Sequence, residues 1–509
     1  MSESITKHKN LLLGVLFLGL LLRLIIAWLP FEVLIEKVLV NDAFMGYAVV
    51  RNIVLGNGIS FDGVNPTNGF HPLWIFVLTP IYYLFQYDHV LLTHIILTFS
   101  SVMNVVAGLV IYKILEHLRK PKAGFIALLI WLFNPLTIFI GLNGVETSLY
   151  ALILSVTVWH YIILRRKGDE ATLSDYLLLG ILLSLTVFTR LDGILFLVAV
   201  LLDMLLLGKL KKKTPLNRVA VMIIASLFVF SPWIIWNMAT FGTIFPTSLS
   251  LIEHKERSQL DETGILSTYF LKQQTRAVVN VFLRTLLLLP KVGLLFLVYY
   301  LIQNRRKLLE ETEVFKPLVL FSIFLFAYYS FFLWHHSPRY FYPLLFTVTI
   351  LIGVVFDSKR ELMRIFLTLT LIEFLVFGLL FWSQGRAPIE KDRYDAYIWL
   401  ENFKPGGEIV GTYNTVVYGF IHNKPQVNLD GRVNSEALDA IKNRQLYLYI
   451  KHENISYILD DEESIEMFEQ FMGEDYDPNK FEVIHRRNNY AKWWGFRDWG
   501  DIIVLRVKS

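Results

Sequence analysis

The sequence predicts a polytopic α-helical membrane protein that carries a soluble α/β domain in its C-terminal part. Three observations predict this fold class. Hydrophobic residues make up 54% of the 509 residues and the mean hydropathy is +0.49, values that soluble domains rarely reach. Apolar runs follow one another up to residue 382, and several are long enough to cross the ~30 Å hydrocarbon core of a bilayer. After residue 383 the sequence becomes polar and charged.

Short basic loops predict the orientation of the apolar runs. These loops lie at 113–122, 165–167, 209–218, 305–316 and 359–364. The positive-inside rule places them, and the basic N-terminus, in the cytoplasm.

The N-terminus and the loop 113–122 are both predicted to be cytoplasmic, so an even number of helices must cross the membrane between them. One apolar run before residue 113 therefore does not cross the membrane. The run 72–87 is short, begins at Pro72 and has no basic residue at its end, so we predict that it lies in the outer interface. The alternative, in which 72–87 crosses and a later run does not, stays open. The prediction is about eleven transmembrane helices in the plasma membrane, with a cytoplasmic N-terminus and an extracytoplasmic C-terminal domain.

Two domains follow from this pattern: a transmembrane module over 1–383, with a first outer loop at 30–89 and a long outer loop at 239–279, and a soluble domain over 388–509. Alternation of apolar and polar residues predicts the secondary structure of the soluble domain. Its predicted helices are 392–403, 435–451 and 462–472, and its predicted strands are 408–413, 427–429, 455–459 and 502–507.

Composition excludes several classes of function. The chain has no cysteine, so disulfides and thiolate chemistry are absent. The formal net charge is only +4 and the basic residues fall in short loops, a distribution that indicates membrane topology and no nucleic-acid partner.

Polar groups are concentrated in the predicted outer loops. The first loop contains Asp42, Asn68 and His71, a second loop at 141–148 contains Glu146, and a tight turn at 190–193 contains Asp192. A further turn holds His335 and Arg339. Because a functional site needs groups from several elements on one side of the membrane, this convergence predicts a site at the outer surface.

Several of these loops resemble motifs of the C-type (GT-C) glycosyltransferase superfamily. The first loop reads N-D-A-F…R-N-I-V-L-G-N-G…N-P-T-N-G-F-H-P-L-W, similar to the D-D-A-F…R-N-x-x-x-G-x-G…T-N-P-L-W pattern of bacterial members. The stretch G-V-E-T at 144–147 resembles their G-M-E-T loop, and R-L-D-G at 190–193 resembles their R-P-D-G turn. The stretch V-N-L-D-G at 427–431 occurs in the outer domain of similar proteins.

The resemblance implies an integral-membrane glycosyltransferase that moves a sugar from a polyprenyl-phosphate donor to a glycan, lipid or protein acceptor of the cell envelope. Inverting transfer needs a general base, and the resemblance implies that Asp42 is that base. The sequence departs from the family at Asn41, where many relatives have a second aspartate. This difference weakens any metal site there, so we predict no required metal and leave a divalent cation as a possibility.

Each candidate residue also has a structural alternative. Asp42 could cap the helix predicted at 43–55, and Glu146 could cap the next helix instead of placing the acceptor. Asp192 could brace its turn by pairing with Arg190. His71 could donate a hydrogen bond to the leaving phosphate, or it could be a loop histidine whose hydrogen bonds are satisfied within the protein. The candidates to bind the donor phosphate are the cations Arg51, Lys255, Arg257, Lys272, Arg276 and Arg339. Arg339 is favoured among them because His335 flanks it at a tight turn.

Two other classes of function remain as alternatives. A transporter or flippase of lipid-linked saccharides places polar groups within broken spans near the bilayer midplane, whereas here they cluster in outer loops. A non-catalytic membrane scaffold leaves the loop pattern at 41–74 without an explanation.

Overall fold

The computed structural model describes residues 2–207, 215–246, 268–332, 337–358, 363–384, 388–403, 408–414, 416–424, 426–488 and 500–508. The helices of the membrane module are α1 (Ser2–Ala27), α2 (Phe31–Lys37), α3 (Asn41–Val54), α4 (Pro72–Phe85), α5 (His89–His117), α6 (Pro121–Phe133), α7 (Pro135–Gly141), α8 (Thr147–Lys167), α9 (Leu173–Thr189), α10 (Ile194–Leu202), α11 (Leu216–Phe241), α12 (Thr268–Leu288), α13 (Lys291–Glu311), α14 (Lys316–Phe331), α15 (Tyr342–Ser358) and α16 (Met363–Gln384).

The membrane module has the predicted helical architecture. Among the described residues, six helices are long and apolar enough to cross a membrane, and the number rises to eight if each of two bent helix pairs forms one span. The predicted class of multi-pass membrane protein is therefore confirmed, whereas the predicted number of eleven spans is not.

Helix α4 occupies the run for which we predicted an interfacial position. It has 14 residues, which corresponds to a length of about 21 Å. A hydrocarbon core of ~30 Å is longer than this helix, so α4 is too short to cross alone. Its length therefore fits the interfacial prediction.

Two predicted spans are bent, because proline interrupts each. The run 122–141 divides at Asn134 and Pro135 into α6 and α7, with a bend of 60°. The apolar run 280–303 likewise divides near Pro290 into α12 and α13, with a bend of 103°. Proline lacks the N–H that would continue the helix. Glu373 stabilises the second bend by accepting hydrogen bonds from the backbone nitrogens of Lys291 (2.7 Å) and Val292 (2.9 Å).

The long outer loop also differs from its prediction. Helix α12 begins at Thr268, so the last part of the predicted loop 239–279 is helical. Residues 247–267 of this loop lie outside the described residues.

The soluble domain is a small α/β structure, as predicted. Its elements are α17 (Pro388–Phe403), β1 (Val410–Thr412), α18 (Val417–His422), β2 (Gln426–Asn428), α19 (Ser435–Lys442), α20 (Leu446–His452), β3 (Tyr457–Asp461), α21 (Glu462–Glu469), β4 (Phe481–Arg487) and β5 (Ile502–Val507). The five strands form one sheet in the order β2-β1-β3-β5-β4, in which β1 pairs in parallel with β2 and β3 and the other pairs are antiparallel.

Three features of the soluble domain were not predicted, and the short helix α18 is one of them. Strand β4 was missed because four of its seven side chains are polar or charged and none is buried, so it lacks a continuous apolar face. The helix predicted at 435–451 is divided into α19 and α20 at Arg444, whose φ of +55° is left-handed and incompatible with a continuous right-handed helix.

The soluble domain packs directly on the first outer loop. Buried apolar residues of α2, α3 and α4 share one hydrophobic core with residues of α17, α18, β3 and β5. Phe44 of α3 and Phe420 of α18 lie in this core, with ring centroids 6.0 Å apart. Next to Asp42, the backbone nitrogen of Val416 donates to the Asn41 side-chain oxygen at 3.1 Å. The start of α3 is thus held between the two domains.

Candidate active site

Asp42 lies in the first turn of α3, at the junction between the membrane module and the soluble domain. The N-cap position of this helix is Val40, so Asp42 does not occupy the capping position that was its structural alternative. The Asp42 side chain is 34% exposed, which leaves part of the carboxylate accessible.

Two arginines from different domains contact the Asp42 carboxylate. Arg339 lies just before α15 and donates from Nη2 to Oδ2 at 2.5 Å. Arg432, from the loop after β2 in the soluble domain, approaches Oδ1 through Nη1 at 3.5 Å. Two positive charges therefore flank the carboxylate that the sequence predicts to be the general base.

A second cluster of charges lies buried beside this pair and is centred on Arg190. The Arg190 guanidinium donates to Glu146 at 2.7 Å and to Asp192 at 2.7 Å. The Tyr329 hydroxyl donates to the same Asp192 carboxylate at 2.6 Å. The side chains of Arg190, Glu146 and Asp192 are each only 3–4% exposed. We call this group, with Tyr329, the Arg190 cluster.

The loop that carries Glu146 is fitted to the helix that carries Asp42. Gly144 has a φ of +86°, and a Cβ there would lie 2.8 Å from Ala43 Cβ, so only glycine fits this close approach. The Tyr47 hydroxyl donates to the Gly144 carbonyl at 2.8 Å. The glycine of the G-V-E-T stretch therefore lets this loop pack against α3.

Tyr340 connects Asp42's partner Arg339 to the Arg190 cluster. Arg339 donates to the Tyr340 hydroxyl at 3.1 Å, and the Arg190 guanidinium lies 4.8 Å from the Tyr340 ring centroid. Tyr340 also stacks on Tyr329, with centroids 4.9 Å apart. Stacking of Arg190 on an aromatic face is a favourable cation–π arrangement. Tyr340 therefore contacts both the Arg190 cluster and Arg339, and it fixes Arg339 relative to the cluster.

The charges of the cluster shift the pKa values of its acids. Burial opposes ionisation of Glu146, but the charges of His71, Arg190 and Arg339 outweigh it and hold its pKa below the ordinary value. Burial likewise opposes ionisation of Asp192, and its partner Arg190 keeps the pKa of Asp192 below the ordinary value. Both carboxylates are therefore ionised at neutral pH.

His71 lies at the edge of the same cluster. Its Nε2 is 3.5 Å from Glu146 Oε1, and its side chain is 31% exposed. Burial lowers the pKa of His71 despite the nearby Glu146 carboxylate. In its neutral form His71 has one ring N–H to donate, and in its protonated form it adds a positive charge beside Glu146.

The remaining predicted site residues lie elsewhere. Asn68 donates to the Asn237 side chain at 2.8 Å, which ties the first outer loop to α11. Arg51 lines a separate cavity of about 360 Å³ between the first outer loop and the soluble domain. Arg276 is exposed on α12. His335 lies outside the described residues.

The residues around Asp42 do not fit a divalent cation as arranged. Arginines approach both Asp42 oxygens, and Asn41 accepts a backbone hydrogen bond. In the described part of the chain, no group of three histidine, aspartate or glutamate side chains is placed to hold a metal ion. Divalent ions usually need several oxygen ligands, so the possible cation has no set of ligands here.

Sequence reasoning missed Arg432, Tyr329 and the link through Tyr340. Arg432 directly follows the V-N-L-D-G stretch at 427–431, which was noted for its resemblance. That stretch was the available signal, but only docking of the soluble domain brings Arg432 to Asp42.

The family model for dolichyl-phosphate-mannose-protein mannosyltransferases matches residues 71–236, which is about a third of the chain. This segment includes His71, Glu146, Arg190 and Asp192. No curated protein matches the chain by sequence.

Solved structures match over nearly the whole chain. ArnT from Cupriavidus metallidurans bound to undecaprenyl phosphate is similar with a TM-score of 0.59 and 13% identity, over 97% of this chain and 98% of that chain. The oligosaccharyltransferase AglB from Archaeoglobus fulgidus, in complex with an inhibitory peptide and a dolichol-phosphate, has a TM-score of 0.57 and 13% identity, over 89% and 70% of the two chains. The Archaeoglobus fulgidus oligosaccharyltransferase in complex with Zn and sulfate has a TM-score of 0.55 and 13% identity, over 95% and 74%.

These comparisons establish the fold and a family match over the central third of the chain. The predicted resemblance is confirmed: the chain has the GT-C glycosyltransferase fold, and its central segment matches a glycosyltransferase family. At these identities the solved structures establish the fold, and the substrates have to be argued from the residues of this chain.

Proposed function

We propose that this protein is an inverting glycosyltransferase that moves a sugar from a polyprenyl-phosphate donor to a cell-envelope glycan, lipid or protein acceptor at the outer face of the membrane. The observation that carries the proposal is the half-exposed Asp42 carboxylate held against Arg339 beside a buried, ionised cluster. A base next to a cation is what single-displacement transfer from a phosphate donor needs.

In the proposed reaction, Asp42 takes the proton of the acceptor hydroxyl while the acceptor oxygen bonds to the anomeric carbon. The bond between that carbon and the phosphate oxygen breaks, and polyprenyl phosphate leaves with the electron pair. Because the acceptor attacks from the face opposite the leaving group, the anomeric configuration inverts. Asp42 then releases its proton to solvent.

Arg339 is proposed to bind the phosphate of the donor. Its Nη2 contacts both Asp42 (2.5 Å) and the Tyr340 hydroxyl (3.1 Å), so the cation is held next to the base. A charge-assisted hydrogen bond from arginine to phosphate is among the strong kinds in proteins. The same cation then stabilises the negative charge that develops on the leaving phosphate.

His71 and the Arg190 cluster are proposed to bind and position substrate. Glu146 and Asp192 are almost fully buried, so they act by fixing Arg190 and His71. His71 is the more exposed member and is the one that contacts substrate, as a donor to the leaving phosphate. Asn68, Arg51, Arg276 and His335 are not part of this proposed step.

The donor class is supported by what the solved structures contain. ArnT was crystallised with undecaprenyl phosphate and AglB was determined with a dolichol-phosphate. A shared fold and a cation beside the proposed base favour a polyprenyl-phosphate donor for this chain too. A transporter or flippase of lipid-linked saccharides is less favoured, because the buried charges lie at helix ends beside Asp42.

The experiment is incubation of the purified protein with a panel of radiolabelled polyprenyl-phosphate sugars and envelope acceptors. We expect time-dependent transfer of label to an acceptor and release of polyprenyl phosphate. Reconstituted vesicles loaded with the same donors test the alternative. Movement of intact donor across the bilayer, with no bond cleavage, would replace the transferase by a flippase.

The outer location has its own test. Basic loops place the soluble domain outside, so protease added to right-side-out cells should cut the chain after residue 383. A C-terminal tag that is protected until the membrane is broken would contradict the proposed orientation.

A further inference from the structure

We infer that Arg432 of the soluble domain is a positioning residue for Asp42, so that the soluble domain completes the catalytic site. The inference rests on the proposed function, since it takes Asp42 as the general base. It goes beyond that proposal, because it makes turnover depend on the docking of a domain that lies outside the membrane.

The three nitrogen atoms of the Arg432 guanidinium have different partners. Nε donates to the Asp430 carboxylate and Nη2 donates to the Asn414 side-chain oxygen, both within the soluble domain. Nη1 is directed to Asp42 Oδ1 at 3.5 Å. Because the guanidinium is planar, two bonds to its own domain fix the direction of the third nitrogen.

The loop that carries Arg432 is itself rigidly built. Asp430 is buried, and its Oδ1 accepts from the Arg432 backbone nitrogen at 2.9 Å. Gly431 has a φ of +79°, and a Cβ there would lie 2.9 Å from the Cα of Leu438 in α19. The D-G-R sequence therefore holds the arginine at a defined place on the domain surface.

Docking of the two domains sets the distance from this arginine to Asp42. Val416, two residues after Asn414, donates its backbone N–H to Asn41, the neighbour of Asp42. The shared hydrophobic core around Phe44 and Phe420 supports the same junction. The hydrogen bond to Asn41 and the shared hydrophobic core thus fix Arg432 relative to Asp42.

The two arginines act on different oxygens of the carboxylate. Arg339 binds Oδ2 closely, at 2.5 Å, whereas Arg432 is 3.5 Å from Oδ1. The looser contact orients the carboxylate while leaving Oδ1 able to accept the proton of an acceptor hydroxyl. Arg432 therefore acts through Asp42.

The test compares Arg432→Ala and Arg432→Lys with Arg486→Ala as the matched control. Arg486 also lies in the soluble domain and pairs with two carboxylates, Glu462 (2.9 Å) and Asp501 (3.1 Å), away from Asp42. Turnover, the donor KM, the melting temperature and the pH–rate profile are measured for each variant with a donor that the wild type uses.

We expect Arg432→Ala to lower kcat by about 10- to 100-fold, with little change in the donor KM, because small misplacements of a catalytic group are costly. The acid limb of its pH–rate profile should move to higher pH, since the carboxylate loses a neighbouring positive charge. Arg432→Lys should restore the acid limb in part, because it keeps the charge but not the fixed fork of donors. Arg486→Ala should leave kcat and the profile unchanged.

Two results separate the inference from the proposed function. If the wild type transfers sugar and depends on Asp42, but Arg432→Ala matches Arg486→Ala in kcat and acid limb, the inference is wrong and the proposed function stands. A lower melting temperature with a normal kcat per folded enzyme would likewise reduce Arg432 to a structural role. A wild type that transfers no sugar from any donor overturns both.

Discussion

Two groups of charges lie side by side at the ends of helices, and they differ in how far their side chains are buried. In the Arg190 cluster the charged side chains are 3–4% exposed and bonded to one another. Asp42, by contrast, is 34% exposed, although an arginine contacts each of its two carboxylate oxygens. The first group can be changed only by disturbing the fold, whereas the second still has room for a reactant.

The difference in burial indicates which residues take part in the reaction and which support the structure. A fully paired buried ion cluster is costly to break, because removing one partner leaves an unpaired charge in a low dielectric. A half-exposed carboxylate has small structural consequences and an accessible lone pair. The comparison assigns structure and positioning to the Arg190 cluster and proton transfer to Asp42.

The largest expected effect on stability comes from removing the central cation of the buried cluster. Arg190→Ala leaves Glu146 and Asp192 without their shared cation, so we expect a loss of about 3–5 kcal/mol in the free energy of unfolding. Thermal unfolding in detergent measures this, with the exposed Arg276→Ala as the control. An Arg190→Ala protein that melts like the control would show that the cluster does not support the fold.

The next effect is expected on the donor KM, from a change at Arg339, which lies between the two groups of charges. Arg339→Ala removes the proposed phosphate ligand but leaves Asp42 partly solvated, so the donor KM should rise about 10- to 100-fold, the equivalent of ~1.4–2.7 kcal/mol. The melting temperature should change little. Steady-state kinetics over a range of donor concentrations measures the effect, and an unchanged donor KM would remove Arg339 from the donor site.

Tyr329→Phe tests a single hydrogen bond of the Arg190 cluster. It removes the hydroxyl that donates to Asp192 at 2.6 Å but keeps the ring that stacks on Tyr340. A hydrogen bond to a charged group is worth ~1.5–3 kcal/mol, so stability should fall by about that amount. Tyr299→Phe is the control, because Tyr299 is 54% exposed. Equal stability of the two variants would contradict the assigned bond.

The smallest effect is expected from removal of divalent cations. The oxygens near Asp42 are engaged by arginines and a backbone N–H, so chelator should leave turnover within about twofold, which corresponds to ~0.4 kcal/mol. Turnover is compared before and after chelation, and then with magnesium or manganese added back. Loss on chelation with recovery on addition of metal would contradict the expectation.

Much of the candidate site could be predicted because its residues lie in loops that the sequence predicts on one side of the membrane. The positive-inside rule grouped Asp42, His71, Glu146, Asp192 and Arg339, and the structure brings these five into neighbouring contacts. Arg51 lies apart from these five residues, and its predicted role as a donor ligand stays a prediction. It lies nine residues after Asp42 on α3, about 14 Å further along the helix, and lines a different cavity.

The parts that were not predicted depend on tertiary contacts. Arg432 approaches Asp42 only because Asn41 and Phe44 fix the docking of the soluble domain. The 103° bend near Pro290 needs Glu373, 82 residues after Lys291, to cap the second helix. Neither long-range pairing has a local sequence signature, whereas the apolar periodicity of the helices does.

The most direct test of Asp42 as the general base is to measure turnover and melting temperature for Asp42→Asn. This substitution keeps the shape of the side chain and removes the base. We predict that turnover falls by ~10²–10⁴-fold, the usual contribution of a general base. The same protein should lose no more than ~1 kcal/mol of stability. An Asp42→Asn protein that keeps most of its turnover on a verified donor and acceptor would contradict the assignment of Asp42 as the base.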